Sequence, residues 1–205
     1  MARCKAGAEP LAVGETGYRQ ISNSKRPIIK PDDLTGIKIR VVGSPMYGEI
    51  MSGMGANPTF MGWADAQPAL ASVAVDAQEN PLEVFLAAKV HTLGQKFVTK
   101  WNYSNDILLF AIAAPVWQSW TPTDQKIVRE AGMDAAKQPV VLVRNLFAQD
   151  VERVKALGVQ VHVPTPEEIQ VWQIATRRTY ARWKVQTDAA LLEKVEAVIE
   201  KSRKA

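Results

Sequence analysis

The chain has 205 residues, enough for one large domain or two small ones. Hydrophobic residues make up 47% and charged residues 22%, so a folded core is expected and wholesale disorder is excluded. The 25 Lys and Arg against 21 Asp and Glu leave +4, scattered in short clusters, whereas a nucleic-acid binder gathers its cations on one face.

No stretch of about 18 uncharged apolar residues occurs, which excludes a membrane-spanning helix. The opening MARCKAGAEPLAV lacks an apolar run of about 7–15 residues and is not expected to work as a signal peptide. The lone cysteine, Cys4, cannot close an internal disulfide.

In chain order, residues 18–22 read as a strand. Pro31-Asp32-Asp33-Leu34 is a helical or tight turn stopped by Gly36. Ile37-Lys38-Ile39-Arg40-Val41-Val42 alternates apolar with polar and is β-branched, which predicts a strand. Ser44 caps and Pro45 opens a helix to about Met54. Residues 58–61 are extended, and Asp65 is expected to cap a second helix through Val73. Residues 75–80 are extended again, and Pro81 opens a helix to about Val90. Residues 107–114 are apolar without alternation, as in a strand covered on both faces.

From Thr123 to about Leu157 one helix is expected, kinked near Pro139, which lacks a backbone donor. Gly158 ends it, residues 159–163 form a strand, and Thr165-Pro166-Glu167-Glu168 caps the next helix. Two closing helices divide near Thr187-Asp188. Strands alternating with helices predict an α/β fold with a largely parallel sheet.

The chemistry is sparse. His91 and His162 lie far apart and Cys4 is alone, so no metal site and no cofactor are expected. Nucleophile-elbow, P-loop and dinucleotide fingerprints are absent. Gly43-Ser44-Pro45-Met46-Tyr47-Gly48 reads as a strand–turn–helix junction whose free N–H groups suit an anion. Arg19 and Arg40 both sit inside expected strands, where a guanidinium is costly unless paired. Each is salt-bridged to a helix carboxylate, simply exposed to solvent, or offers its fork of donors to a ligand carboxylate. Asn80 supplies a donor and an acceptor at a strand tip, or is a turn asparagine before proline.

Pro31-Asp32-Asp33-Leu34-Thr35-Gly36-Ile37-Lys38-Ile39-Arg40-Val41 resembles the P-x-D-L-x-G-x-K-x-R-V segment of TRAP transporter substrate-binding proteins, the DctP-like family. Gly55-Ala56-Asn57-Pro58, Ala69-Leu70 and Val75-Asp76-Ala77-Gln78-Glu79-Asn80-Pro81 follow in that family's order. Gly17-Tyr18-Arg19, Ser22-Asn23-Ser24-Lys25-Arg26-Pro27 and Trp117 with Thr121-Pro122-Thr123-Asp124-Gln125 match as well.

The resemblance implies an α/β, type II periplasmic-binding-protein-like fold with an organic acid held between two lobes. It implies no enzymatic activity. Arg40 would make a bidentate salt bridge to the ligand carboxylate, Arg19 would add a second contact, and Asn80 would orient. Trp63 and Gln78 complete the expected ligand-binding set, with Trp63 bearing on which acid is preferred.

Trp63-Ala64-Asp65 stands where the family often has F-S-E, Gln67 where a tyrosine is common, and Tyr103 near a frequent histidine. The resemblance also implies a periplasmic location and delivery to small and large TRAP membrane subunits. Family members usually carry a first lobe ahead of the point where this chain starts, so an N-terminally truncated member is expected. Residues 1–17 would be a remnant or linker and 18–105 the second-lobe core. Residues 106–145 would belong to the first lobe, and 146–205 would be helices packed on the second. Self-association through the strand at 107–114 is then expected.

The competing reading is a small α/β enzyme on an acidic substrate with Glu79 or Asp76 as general base, unless these carboxylates stabilise a strand end or pair with nearby basic groups. An interaction module exposing an apolar surface is a third, and a fragment whose binding is impaired by truncation is a fourth.

Overall fold

The computed structural model describes residues 7–203, with the side chains of 138–148 and 203 outside the description. Strand β1 (Ala8–Asn23) enters first, and a 3-10 turn at Pro31–Leu34 leads into β2 (Lys38–Val41). Helix α1 (Pro45–Gly53), β3 (Asn57–Phe60), α2 (Trp63–Ala71), β4 (Ala77–Pro81) and α3 (Leu82–Ala87) follow. Then come β5 (Phe97–Ala113), α4 (Ala114–Ser119), α5 (Pro122–Ala156), β6 (Gln160–His162), α6 (Pro166–Lys184) and α7 (Ala189–Arg203). The kink expected at Pro139 falls in the stretch whose side chains lie outside the described residues.

The sheet has the order β3-β2-β4-β1-β5-β6. Its β3–β2–β4 part and the β5–β6 pair are parallel, but β1 runs antiparallel to both β4 and β5. The largely parallel sheet expected from alternation is therefore mixed. Two strands far apart in sequence pair directly across its middle, and no alternation pattern records that.

Apolar clusters lie on both faces of the sheet. On one, Ile39 and Val41 of β2, Ala77 of β4 and Trp101 of β5 pack with Met51 of α1 and Trp172 of α6. On the other, Val98 meets Leu70, Phe85 and Val154 from α2, α3 and α5. Trp172 is fully buried, its ring centroid 4.3 Å from that of Trp101, and its indole N–H donates to the Ile29 carbonyl. The capping box expected at α6 forms, with Thr165 Oγ1 accepting from the Glu168 amide and Glu168 accepting from the Thr165 amide. Asp65, expected to cap α2, lies within its first turn, and Gly62 is the cap. Gly55 closes the turn into β3 at φ 84°, a left-handed conformation a side chain would resist, beside Thr35.

Strands β1 and β5 continue as a two-stranded ribbon pairing Ala8–Tyr18 with residues up to Ala113, with α5 against β1 where Gly132 meets Leu11 and Arg129 pairs with Glu9 at 2.7 Å. Here the expectation of a doubly covered strand fails. Ile107, Leu108 and Leu109 are exposed, as is Val13 on the partner strand. An apolar ribbon with open edges invites pairing with another copy. Light scattering should show association that grows with concentration, and Ile107→Lys with Leu109→Lys should suppress it. A doubly substituted chain that associates as strongly as the original would place the contact elsewhere.

Candidate functional site

The sheet's alternation delivers charged side chains to one end of its central strands. Arg40 is opposite Gln78 across β2 and β4, while Arg19 is opposite Pro81 across β1 and β4. Both arginines are almost fully buried, yet they are used differently.

Arg19 is saturated. Its Nε donates to Glu79 Oε2, and its Nη2 donates to Glu79 Oε1 at 3.0 Å, the Glu79 carbonyl at 2.7 Å and Asn80 Oδ1 at 3.2 Å. Its Nη1 reaches Asp106 Oδ2 at 2.8 Å. Burial alone would lower the Arg19 pKa, but the hydrogen bond to Glu79 and the charges around it hold it above the ordinary arginine value.

Arg40 has a carbonyl instead of a carboxylate. Its Nε and Nη2 both donate to the Met61 carbonyl, at 3.0 and 2.9 Å. Its guanidinium carbon stands 5.5 Å from the Trp63 ring centroid, a cation–π contact. No carboxylate is in salt-bridge reach of Arg40 among the described residues. Burial lowers its pKa and the charge of Glu79 partly offsets this, but a guanidinium keeps its proton at neutral pH. Spending Nε–H and one Nη2–H on Met61 leaves the end-on edge formed by Nη1 and Nη2, two parallel N–H groups matched to a carboxylate.

Sequence reasoning had marked Arg19, Arg40, Asn80, Trp63 and Gln78, and the structure brings Arg19 to Asn80 and Arg40 to Trp63. Gln78 is fully buried; its amide nitrogen donates to Ser22 Oγ and its oxygen accepts from Asn80 Nδ2 at 2.6 Å, so it fixes Asn80 from behind.

Other participants had been missed. Glu79, a candidate general base or partner of nearby basic groups, is the hub, receiving Arg19 and the Tyr103 hydroxyl. Tyr103, buried against the charge of Glu79, has its pKa pushed well up and remains a hydroxyl donor. Asp106 and Tyr47 complete the ring, with the Tyr47 hydroxyl 3.0 Å from Ser104 Oγ. The signal for Glu79 was available: a carboxylate inside a strand needs a counter-charge as much as Arg19 does. Asp76, the other candidate base, bonds the Lys38 amide and pairs with Lys25 at 3.2 Å.

Behind the β4 tip, Arg153 of α5 bridges Glu83 of α3 at 2.6 Å and Asp150 at 2.9 Å. Burial, with the hydrogen bond and charge of Glu83, raises the Asp150 pKa to about 6 in spite of Arg153. The folded chain thus holds a proton that the unfolded chain releases near pH 4, so stability should fall as pH rises between about 4 and 6. Thermal denaturation across that range should show this slope, and Asp150→Asn should flatten it. An unchanged slope in Asp150→Asn would assign it to another group.

Residues 3–186 match the family described as bacterial extracellular solute-binding protein, family 7. A periplasmic TRAP solute-binding protein of Ralstonia eutropha with bound (S)-2-acetolactate superposes with a TM-score of 0.93 at 51% identity, covering 96% of this chain and 64% of that one. One from Bordetella, with density interpreted as pantoate, gives 0.86 at 29% identity, covering 92% and 62%. The 2,3-diketo-L-gulonate-binding periplasmic protein YiaO of Escherichia coli is 32% identical over 76% of this chain and 47% of its own length. The chain thus spans about half the length of that curated relative.

Proposed function

The chain belongs to the bacterial extracellular solute-binding protein family 7, and from that membership we propose that it captures a small organic acid outside the cytoplasm. Its role is then to hand the acid to the small and large membrane subunits of a TRAP transporter. The ligand carboxylate sits on the end-on edge of Arg40, Trp63 flanks it, and Asn80, steadied by Gln78, orients it.

One observation carries this reading. Of the two buried arginines at the end of the sheet, Arg19 has its carboxylates within the chain, whereas Arg40 is steadied by a carbonyl and a ring. A buried guanidinium with a donor edge to spare is suited to an anion from outside. The same reading assigns 18–105 and 146–205 to one lobe and 106–145 to the crossing into the other. Packing of α6 on Trp101 through Trp172 supports that grouping.

The enzymatic alternative loses its general base on this geometry. Glu79 is committed to Arg19 and Tyr103, and Asp76 to a backbone amide and Lys25. Calorimetric titration of the chain with a panel of organic acids tests the proposal. Saturable binding of at least one acid, lost in Arg40→Ala with the fold intact by circular dichroism, is the expected result. Binding that survives Arg40→Ala would move the site elsewhere.

A further inference from the structure

Glycine inside a helix costs stability relative to alanine, so Gly48 of α1 calls for a reason other than propensity. The reason is space. Gly48 is buried, and a Cβ there would collide with Cζ of Phe60 and stand 3.0 Å from its Cε1. The half-exposed Phe60 ring thus seats directly on the α1 backbone. In the β2–β3 register Phe60 is opposite Val41, and Thr59 is opposite Arg40. Successive side chains of a strand point to opposite faces, so Phe60 and Val41 face α1 while Arg40 projects from the other face.

The residue after Phe60 is Met61, whose carbonyl accepts both bonds that steady Arg40. Strand β3 is an edge strand, laddered on one side only, and at its end the Met61 amide reaches the Val41 carbonyl at 3.3 Å. The ladder holds that end weakly, and the seat of Phe60 on Gly48 fixes it. A cavity of about 450 Å³ between α1, β3 and α6 adjoins the ring, so a displaced ring has room to swing outward.

We propose that Gly48 and Phe60 are positioning residues for the carboxylate clamp. The ring's seat on the helix sets the Met61 carbonyl, and the carbonyl sets the plane of the Arg40 guanidinium. The inference rests on the assignment of the ligand carboxylate to Arg40.

Two readouts on the full chain test it. Heteronuclear NMR of the arginine Nε–H groups needs no ligand: Arg40 is assigned by its loss in Arg40→Lys, and Arg19 serves as internal control. Gly48→Ala should shift or broaden the Arg40 signal and leave that of Arg19 in place. Adding Phe60→Leu, whose shorter side chain clears the new methyl group, should restore it. Calorimetry with 2-oxovalerate and 2-hydroxybutyrate should show affinity falling about ten-fold in Gly48→Ala and recovering to within about three-fold in the double variant. In an Arg40→Lys background Gly48→Ala should cost little more, because the two act on one contact. Should Gly48→Ala not fold, Phe60→Ala decides, with the Arg40 signal broadened and that of Arg19 kept. An Arg40 signal indifferent to Gly48→Ala, or one that moves only together with Arg19 and is not restored by Phe60→Leu, would overturn the proposal. A displaced Arg40 signal beside acid binding indifferent to both Gly48→Ala and Arg40→Lys would instead overturn the carboxylate assignment, leaving the coupling of ring seat to guanidinium plane standing.

Discussion

Replacing Arg19 by methionine should destabilise the chain by about 3–5 kcal/mol, the cost of removing one partner from a buried ion pair. Glu79 is fully buried, and without Arg19 its carboxylate keeps the Tyr103 hydroxyl and a distant approach from the Val42 amide at 3.4 Å. Those donors do not replace a guanidinium that engages both carboxylate oxygens. Methionine preserves the length and much of the apolar stem, so the loss reports the charge more than a cavity.

The double variant Arg19→Met with Glu79→Leu discriminates further. Removing both charges leaves only the part-exposed Asp106, still held by the Thr16 hydroxyl at 3.1 Å, without its guanidinium, and apolar replacements of a buried pair are often neutral or better. Urea denaturation should therefore show the double variant regaining most of what the single one loses. A single variant that costs less than about 1 kcal/mol would mean that water or other groups already neutralise Glu79, contrary to its burial.

The sequence was most legible where local chemistry and tertiary structure agreed. Alternation in Ile37 to Val42 produced β2, Pro45 opened α1, and the Thr165/Glu168 pair capped α6. It was least legible where a strand exists because its neighbour does. Residues 8–17 carry Pro10, Gly14 and Gly17, and 97–106 mix strand formers such as Val98, Trp101 and Tyr103 with Lys100, Asn102, Asn105 and Asp106; these mixed stretches become β1 and β5 by pairing with each other across about ninety positions. The apolar run at 107–114 suggested burial, but hydrophobicity marks what seeks cover and does not name the cover. At the site, Arg19 and Arg40 announced themselves as strand arginines, but their division of labour was hidden. It depends on which face of β4 each approaches and on Asp106, whose position opposite Gly17 is set beside a register shift between Glu15 and Gly17.

Arg40→Lys should weaken binding of the best-held acid by about 2–5 kcal/mol, within the range for disrupting a buried hydrogen-bonded charge pair. At 1.4 kcal/mol per decade this is roughly 30-fold or more in Kd. Charge is conserved, so the loss isolates geometry. The guanidinium plane is fixed by two bonds to the Met61 carbonyl at 3.0 and 2.9 Å and by the Trp63 ring, and only that fixed plane presents a free Nη1/Nη2 edge. A lysine ammonium can satisfy the Met61 carbonyl or reach the ligand with one donor, but it cannot hold both in one plane. Trp63→Leu makes the complementary case. It removes the cation–π contact, worth about 0.5–1 kcal/mol or more as the site dries, and reshapes the wall. The ranking of acids should then change more than the affinity for carboxylate as such. Calorimetry of both variants against one panel separates the two roles: a uniform loss for Arg40→Lys and a reordered preference for Trp63→Leu. If Arg40→Lys binds the best acid as tightly as the unchanged chain, the carboxylate does not rest on Arg40, and the end-on edge is a donor left to solvent.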